Sequence, residues 1–326
     1  MAANKFHAFD RHDLTYKIVN DHPIQTTVLI PKALKTKPSG LYPVMVHWHG
    51  GGFIVGHRMY EGWFASWQVE LALARDAIII TPDYRLIPES NAADVMKDAE
   101  DFWEWLHEKL PSIAKAQAWH AGPDLTKIAS VGESAGGYIS VQSATMFPPT
   151  KTNIKVIIST SAPLFSGIPY YSVPGPKPSS GGKPIPQRQA ESTIRAYLRG
   201  IKPGQVRTGC EPSELWDFMM CVMQQAYWPR LMAGKGNKNK TWLDATNGLT
   251  ETTTAALPPM WIIHGADDTI TPCVCSSKFV DKIRETHPEV PVLLNLEPGE
   301  HSFDVSMTMD EQWVADGLKF VDRYWP

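Results

Sequence analysis

Short apolar runs alternate with amphipathic stretches along the chain, and that alternation predicts its elements. Val44 to His47, Ala77 to Thr81, Lys127 to Val131, Ile154 to Ser159, Pro259 to Ile263 and Val292 to Leu296 are brief and β-rich. Runs of this kind belong to strands of a parallel sheet buried on both faces. Leu14 to Val19 and Ile24 to Ile30 predict two antiparallel strands at one sheet edge. Trp63 to Arg75, Ala92 to Lys109 and Tyr138 to Thr145 predict helices that cover the faces. The rhythm breaks after Ile154 to Ser159. From Phe165 to about Ala256 no strand–helix alternation survives, and Ser172 to Gln187 is rich in Pro, Gly and Ser, which predicts an irregular loop. Glu191 to Leu198 and Ser213 to Gln225 read as helices, and the rhythm resumes at Pro259.

Composition narrows the class. A chain of 326 residues, 43% hydrophobic and 20% charged, can bury one large α/β core. A net charge of -3 gives no footprint for nucleic acid or an anionic membrane. Twelve tryptophans imply bulky apolar surfaces in the core or around a pocket. Met1 to Asp13 lacks the apolar segment of a secretory signal, and no run approaches the roughly 20 residues that span a bilayer. Cys273 and Cys275 are too close for an easy disulfide, Cys210 and Cys221 complete the set of four, and no zinc ligand set is present. These features predict free thiols, no metal and a cytoplasmic protein.

Four segments carry chemistry, and three of them follow predicted strands in an informative order. Gly132-Glu133-Ser134-Ala135-Gly136-Gly137 holds a serine between glycines where strand turns to helix, a Gly-x-Ser-x-Gly turn that lifts the hydroxyl off the sheet. His49-Gly50-Gly51-Gly52-Phe53 follows Val44 to His47, and consecutive glycines leave amide N–H groups free to approach an oxyanion. Pro259 to Ile263 leads into His264-Gly265-Ala266-Asp267-Asp268, and Val292 to Leu296 into Pro298-Gly299-Glu300-His301-Ser302. Serine, aspartate and histidine therefore sit in chain order at the C-terminal ends of strands, where open α/β sheets place ligands.

These motifs, together with Asp83-Tyr84-Arg85-Leu86-Ile87-Pro88-Glu89, resemble the hormone-sensitive-lipase-like branch of α/β-hydrolase carboxylesterases over residues 40 to 320. The middle of the chain matches nothing. Two departures stand out: Asp267-Asp268-Thr269-Ile270 replaces an Asp-Pro-Leu acid loop, and Ser302 replaces a glycine after the histidine. The resemblance implies a mostly parallel sheet of about eight strands flanked by helices, with a lid inserted after the sixth strand. Residues 1–164 and 257–326 would form one discontinuous core, and residues 165–256 the lid. About a dozen residues precede the first strand where relatives add lid helices, which implies a more open mouth.

The same resemblance assigns roles. Ser134 is the nucleophile, His301 its base, and Asp268 the acid, chosen over Asp267 by the His-Gly-x-x-Asp spacing. Gly51, Gly52 and Ala135 supply the oxyanion donors, with no metal or cofactor. His47 is expected to face the core, His49 to orient the glycine loop, and His264 to be structural. Glu133 is assigned tuning or helix N-terminal charge, and Asp83 to Arg85 a bracing role. Phe53, Met223, Tyr227 and Trp228 are candidates for touching substrate, although lid aromatics and methionines also serve simply to pack helices onto the core. The expected partner is a small-molecule ester or thioester, the expected assembly a monomer or homodimer. Three functions stay open: a carboxylesterase, an acyltransferase or thioesterase on the same triad in a specialised-metabolite (polyketide-like) pathway, and an inactive ligand-binding protein of the same fold.

Overall fold

The computed structural model describes residues 4–177, 183–234, 244–249 and 257–325. Eight strands form one sheet: β1 (Phe9–Val19), β2 (His22–Pro31), β3 (Gly40–Trp48), β4 (Ile78–Pro82), β5 (Ala121–Glu133), β6 (Ile154–Thr160), β7 (Met260–Gly265) and β8 (Val292–Glu297). Their order is β1-β2-β4-β3-β5-β6-β7-β8. β1 pairs antiparallel with β2 and β2 with β4, and the remaining pairs are parallel.

The helices are α1 (Ser66–Ala74), α2 (Ala92–Glu108), α3 (Leu110–Ala116), α4 (Ala135–Met146), α5 (Pro149–Thr152), α6 (Pro169–Ser172), α7 (Gln187–Gly200), α8 (Pro212–Gln224), α9 (Trp228–Ala233), α10 (Val274–Thr286) and α11 (Gln312–Val321). Side chains alternate across the pleat, so each central strand feeds two cores. Val44, Val46 and Trp48 join the core that α2 and α4 cover, whereas Met45 joins the core beneath α1 and α11. Ile78 and Ile80 divide from Ile79 in the same way, as do Met260 and Ile262 from Trp261 and Ile263. Burial on both sides explains why these strands read as continuous apolar runs.

All eight expected strands are present, with shifted ends. β5 starts at Ala121 rather than Lys127, because its first residues pair with Gly40 to Tyr42 before a register shift. The helix expected from Trp63 begins only at Ser66, since Ala65 is extended at φ -62° and ψ 135°. Trp63 therefore lies in a turn. Between β6 and β7 the described residues hold α6 to α9, and an isolated antiparallel bridge joins Gly56 to Cys210. Part of the loop expected at Ser172 to Gln187 (residues 178–182), and the end of the expected lid at residues 250–256, lie outside the described residues. No helix among the described residues is long and apolar enough to cross a membrane. Cys210, Cys221, Cys273 and Cys275 are all free; Cys273 is half-exposed rather than buried.

Candidate active site

The C-terminal ends of β3, β5, β7 and β8 converge on one cavity. At the end of β5, Ser134 takes φ 52° and ψ -119°, a conformation that L residues avoid and that a tight strand-to-helix turn imposes. The turn presses against β3: a Cβ at Gly136 would lie 1.9 Å from the Trp48 carbonyl oxygen, so only glycine allows the approach. Ser134 opens α4 and faces the cavity. The Ala135 N–H lies in the first turn of α4, where amides have no intrahelical acceptor.

The glycine loop borders the same cavity with Gly50, Gly51 and Gly52. Gly51 sits at φ 108°, and its carbonyl accepts the N–H groups of Ile54 (2.9 Å) and Val55 (3.0 Å). A trans peptide points its N–H away from its carbonyl, so this turn directs the Gly52 N–H to the opposite side. The Gly50 carbonyl accepts from His49 Nδ1 at 2.8 Å, which fixes the Gly51 N–H in the same manner. Tyr84 Oη donates to the His49 carbonyl at 2.6 Å, and the two rings stack. Burial lowers the His49 pKa to about 3, against its bond to the Gly50 carbonyl, so the imidazole is neutral and its N–H is a fixed donor. The expected orienting role of His49 matches this geometry.

The acid and the histidine meet across two loops. Asp268 Oδ2 accepts from His301 Nδ1 at 2.7 Å and approaches His264 Nε2 at 3.2 Å. Its Oδ1 accepts the backbone N–H groups of Ile270 (2.9 Å) and Thr271 (2.7 Å). Burial pushes the Asp268 carboxyl up, but the hydrogen bonds from His264 and His301 outweigh it and hold it below the usual carboxylate range. With Nδ1 occupied, Nε2 of His301 is the nitrogen available toward Ser134, and both residues line the cavity. His264 donates Nε2–H to the Thr271 carbonyl at 2.7 Å and contacts Ser276 Oγ at 2.7 Å, a buried structural arrangement. Asp267 is exposed and accepts the Gly299 N–H at 3.0 Å, joining the acid loop to the histidine loop. Glu300 does the same through Thr269 N (3.0 Å) and Oγ1 (2.8 Å).

Glu133, next to the serine, reaches across to the glycine loop. Its Oε1 accepts the Gly50 N–H at 2.7 Å, and its Oε2 lies 2.8 Å from His47 Nε2. His47 is buried, as expected, and stacks on Phe64. The carboxylate thus ties the serine turn to the glycine loop. Asp83, Tyr84 and Arg85 brace the surroundings: Asp83 pairs with Arg58, Tyr84 with His49, and Arg85 with Asp98 at 2.8 Å.

Of the four candidate substrate contacts, Met223 and Trp228 line the cavity. Trp228 also donates Nε1–H to the Gly52 carbonyl at 3.1 Å. Phe53 and Tyr227 do not line it. Phe53, at φ 64°, is wholly buried among Tyr84, Tyr138 and Trp228. Tyr227 pairs its ring with the Arg230 guanidinium outside the cavity. Further walls come from Trp63, Trp216, Met219, Tyr171 and Ile270, with Pro163, Thr271 and Ser302 completing the lining. Trp63 was hidden by its assignment to a helix, and Ile270 by its place after the acid. Tyr171, Trp216 and Met219 fall within the aromatic and methionine content of the insertion, the one available signal.

A model of the alpha/beta hydrolase fold family matches residues 45–207. A protein named "Probable carboxylesterase M8" from Phoma sp. is 44% identical over 99% of this chain and 98% of its own length. "Probable carboxylesterase clz11" from Cochliobolus lunatus is 45% identical over 60% of this chain and 86% of its own. Among solved structures, esterase B from Lactobacillus rhamnosis superposes with a TM-score of 0.62 at 15% identity, covering 97% of this chain and 85% of that one. At that identity the likeness concerns the fold alone.

Proposed function

The chain belongs to the alpha/beta hydrolase fold family, and we propose that it hydrolyses carboxylic esters of small to medium size through an acyl-serine intermediate on Ser134. The observation that carries this reading is the 2.7 Å contact between His301 Nδ1 and Asp268, with Ser134 on a strained turn facing the same cavity. A serine hydroxyl is a weak nucleophile until a base removes its proton during attack. His301 Nε2 takes that proton as Ser134 Oγ bonds to the ester carbon, and Asp268 stabilises the imidazolium. The carbonyl oxygen becomes an oxyanion held by the N–H groups of Gly51, Gly52 and Ala135; losing one such donor costs roughly 3–4 kcal/mol elsewhere. The imidazolium returns its proton to the leaving alcohol as the carbon–oxygen bond breaks. Water then attacks the acyl-serine, giving its proton to His301, and the acid leaves as Ser134 Oγ is reprotonated.

Residues 165–256 act as a lid in this reading. Support comes from Tyr171, Trp216, Met219, Met223 and Trp228, which lie in that segment and form walls of the cavity. The test is hydrolysis of p-nitrophenyl esters with acyl chains of two to twelve carbons by the wild type, Ser134→Ala and His301→Ala. The wild type should turn over with a maximum at one chain length, and both variants should lose at least 10³-fold in kcat. Wild-type turnover equalled by folded Ser134→Ala would remove the reading. Turnover of thioesters with transfer to added alcohols in preference to water would move it to acyl transfer.

A further inference from the structure

We propose that the ester taken by this site carries a neutral aryl group, seated on a wall made by Trp63, Trp216 and Met219. The inference rests on the ester-hydrolase reading and names its substrate class. The wall abuts the peptides assigned to the oxyanion. A Cβ at Gly51 would lie 3.1 Å from the Trp63 ring, and a Cβ at Gly52 would lie 3.0 Å from Met219 Sδ. The group on this wall is therefore a near neighbour of the reacting carbonyl.

Exposure separates the binding rings from the structural ones. Trp228 is buried, with its N–H engaged by the Gly52 carbonyl, so its ring holds the loop. Trp63 and Trp216 border the cavity while only partly buried, with ring centroids 6.4 Å apart and planes inclined at 44°. Trp216 follows Leu215, whose φ of -131° and ψ of 17° break the first turn of α8. The kink sets Trp216 apart from that turn, and its indole lies beside Trp63. Two inclined indoles and a thioether offer a guest ring edge-to-face and sulfur–aromatic contacts that a saturated ring cannot match.

Charge decides the rest. Among the described lining residues, the acidic or basic side chains are Glu133 and His301. Glu133 accepts the Gly50 amide and lies against His47, and the described lining holds no lysine or arginine, so a substrate carboxylate would meet an acidic group with no basic side chain of that kind beside it.

The experiment compares kcat/KM for paired esters followed by acid release. Methyl 3-phenylpropanoate is set against methyl 3-cyclohexylpropanoate, and 2-phenylethyl acetate against 2-cyclohexylethyl acetate. Two carbons insulate each reacting group from the ring, so the pairs differ in ring character alone. The phenyl member of one pair should lead by roughly two- to tenfold. Trp216→Ala should bring that ratio near one, and Trp216→Phe should restore most of it. Methyl 3-(4-carboxyphenyl)propanoate should be slower than its uncharged parent. Ratios near one in both pairs, or a ratio unmoved by Trp216→Ala, would overturn the aryl wall while methyl butanoate turnover leaves the hydrolase reading standing. If methyl butanoate is untouched and a phosphonate fails to label Ser134, both fall.

Discussion

At the residue scale, Glu133 holds the serine turn and the glycine loop in register. The Gly50 N–H is buried and its acceptor is this carboxylate, so truncation leaves an unpaired donor next to the Gly51 and Gly52 peptides. A buried unsatisfied donor costs about 1–3 kcal/mol. Glu133→Ala should accordingly lower kcat about five- to hundredfold with KM nearly unchanged, while Glu133→Gln, which still offers a carbonyl oxygen, should recover most of the loss. Steady-state kinetics with one ester decides this; equal kcat values in the wild type and Glu133→Ala would count against the coupling. Neighbouring residues show how far sequence reaches at this scale. Ser134, Asp268 and His301 were legible because each closes a motif at a strand end. Phe53 and Tyr227 stand outside the cavity lining, because a side chain's direction depends on its packing partners, which no motif encodes.

At the scale of elements, the segment between β6 and β7 is anchored to the core by a buried ion pair. Arg207 Nη2 lies 2.9 Å from Glu89 Oε2, and Arg207 also donates to the Ile87 carbonyl at 2.7 Å. Tyr197 Oη donates to Glu89 Oε1 at 2.7 Å. The Glu89 side chain has no exposure, so removing its cation strands a buried carboxylate. Losing one partner of such a pair costs about 3–5 kcal/mol. Arg207→Met should lower the denaturation midpoint markedly, and adding Glu89→Gln should recover part of the loss. An unchanged midpoint in Arg207→Met would contradict the anchoring. None of this was visible in the chain's periodicity. Core strands announce themselves through two-sided burial and α7 and α8 through their helical pattern, whereas contacts such as Arg207 with Glu89 and Trp228 with Gly52 leave no mark in it. The extended Ala65, likewise, ended a helix that the apolar residues alone would have continued to Trp63.

At the scale of the whole molecule, two cores clamp one sheet, and a few buried charges tune its stability. Asp304 is buried behind the histidine loop and accepts Trp67 Nε1–H at 3.0 Å. Burial pushes its carboxyl up to about 6, against the lowering effect of the indole bond. An unfolded aspartate titrates near 3.9, so between these values the folded protein keeps a proton that the unfolded chain releases. Stability from this group is present below about pH 4 and is lost as pH rises through about 6. Asp304→Asn removes the buried charge and keeps an oxygen acceptor. Its thermal midpoint should exceed the wild type's by a few degrees at pH 8, and the gain should vanish below about pH 4. A gain independent of pH would exclude this origin.

The covalent step on Ser134 can be seen by mass spectrometry after brief incubation with an organophosphonate ester. A single stoichiometric adduct is expected, mapped by peptide digestion to Ser134, formed much more slowly in His301→Ala and absent at that site in Ser134→Ala. Folded wild-type protein that stays unmodified, or an adduct that maps to another residue while Ser134 stays free, would contradict it.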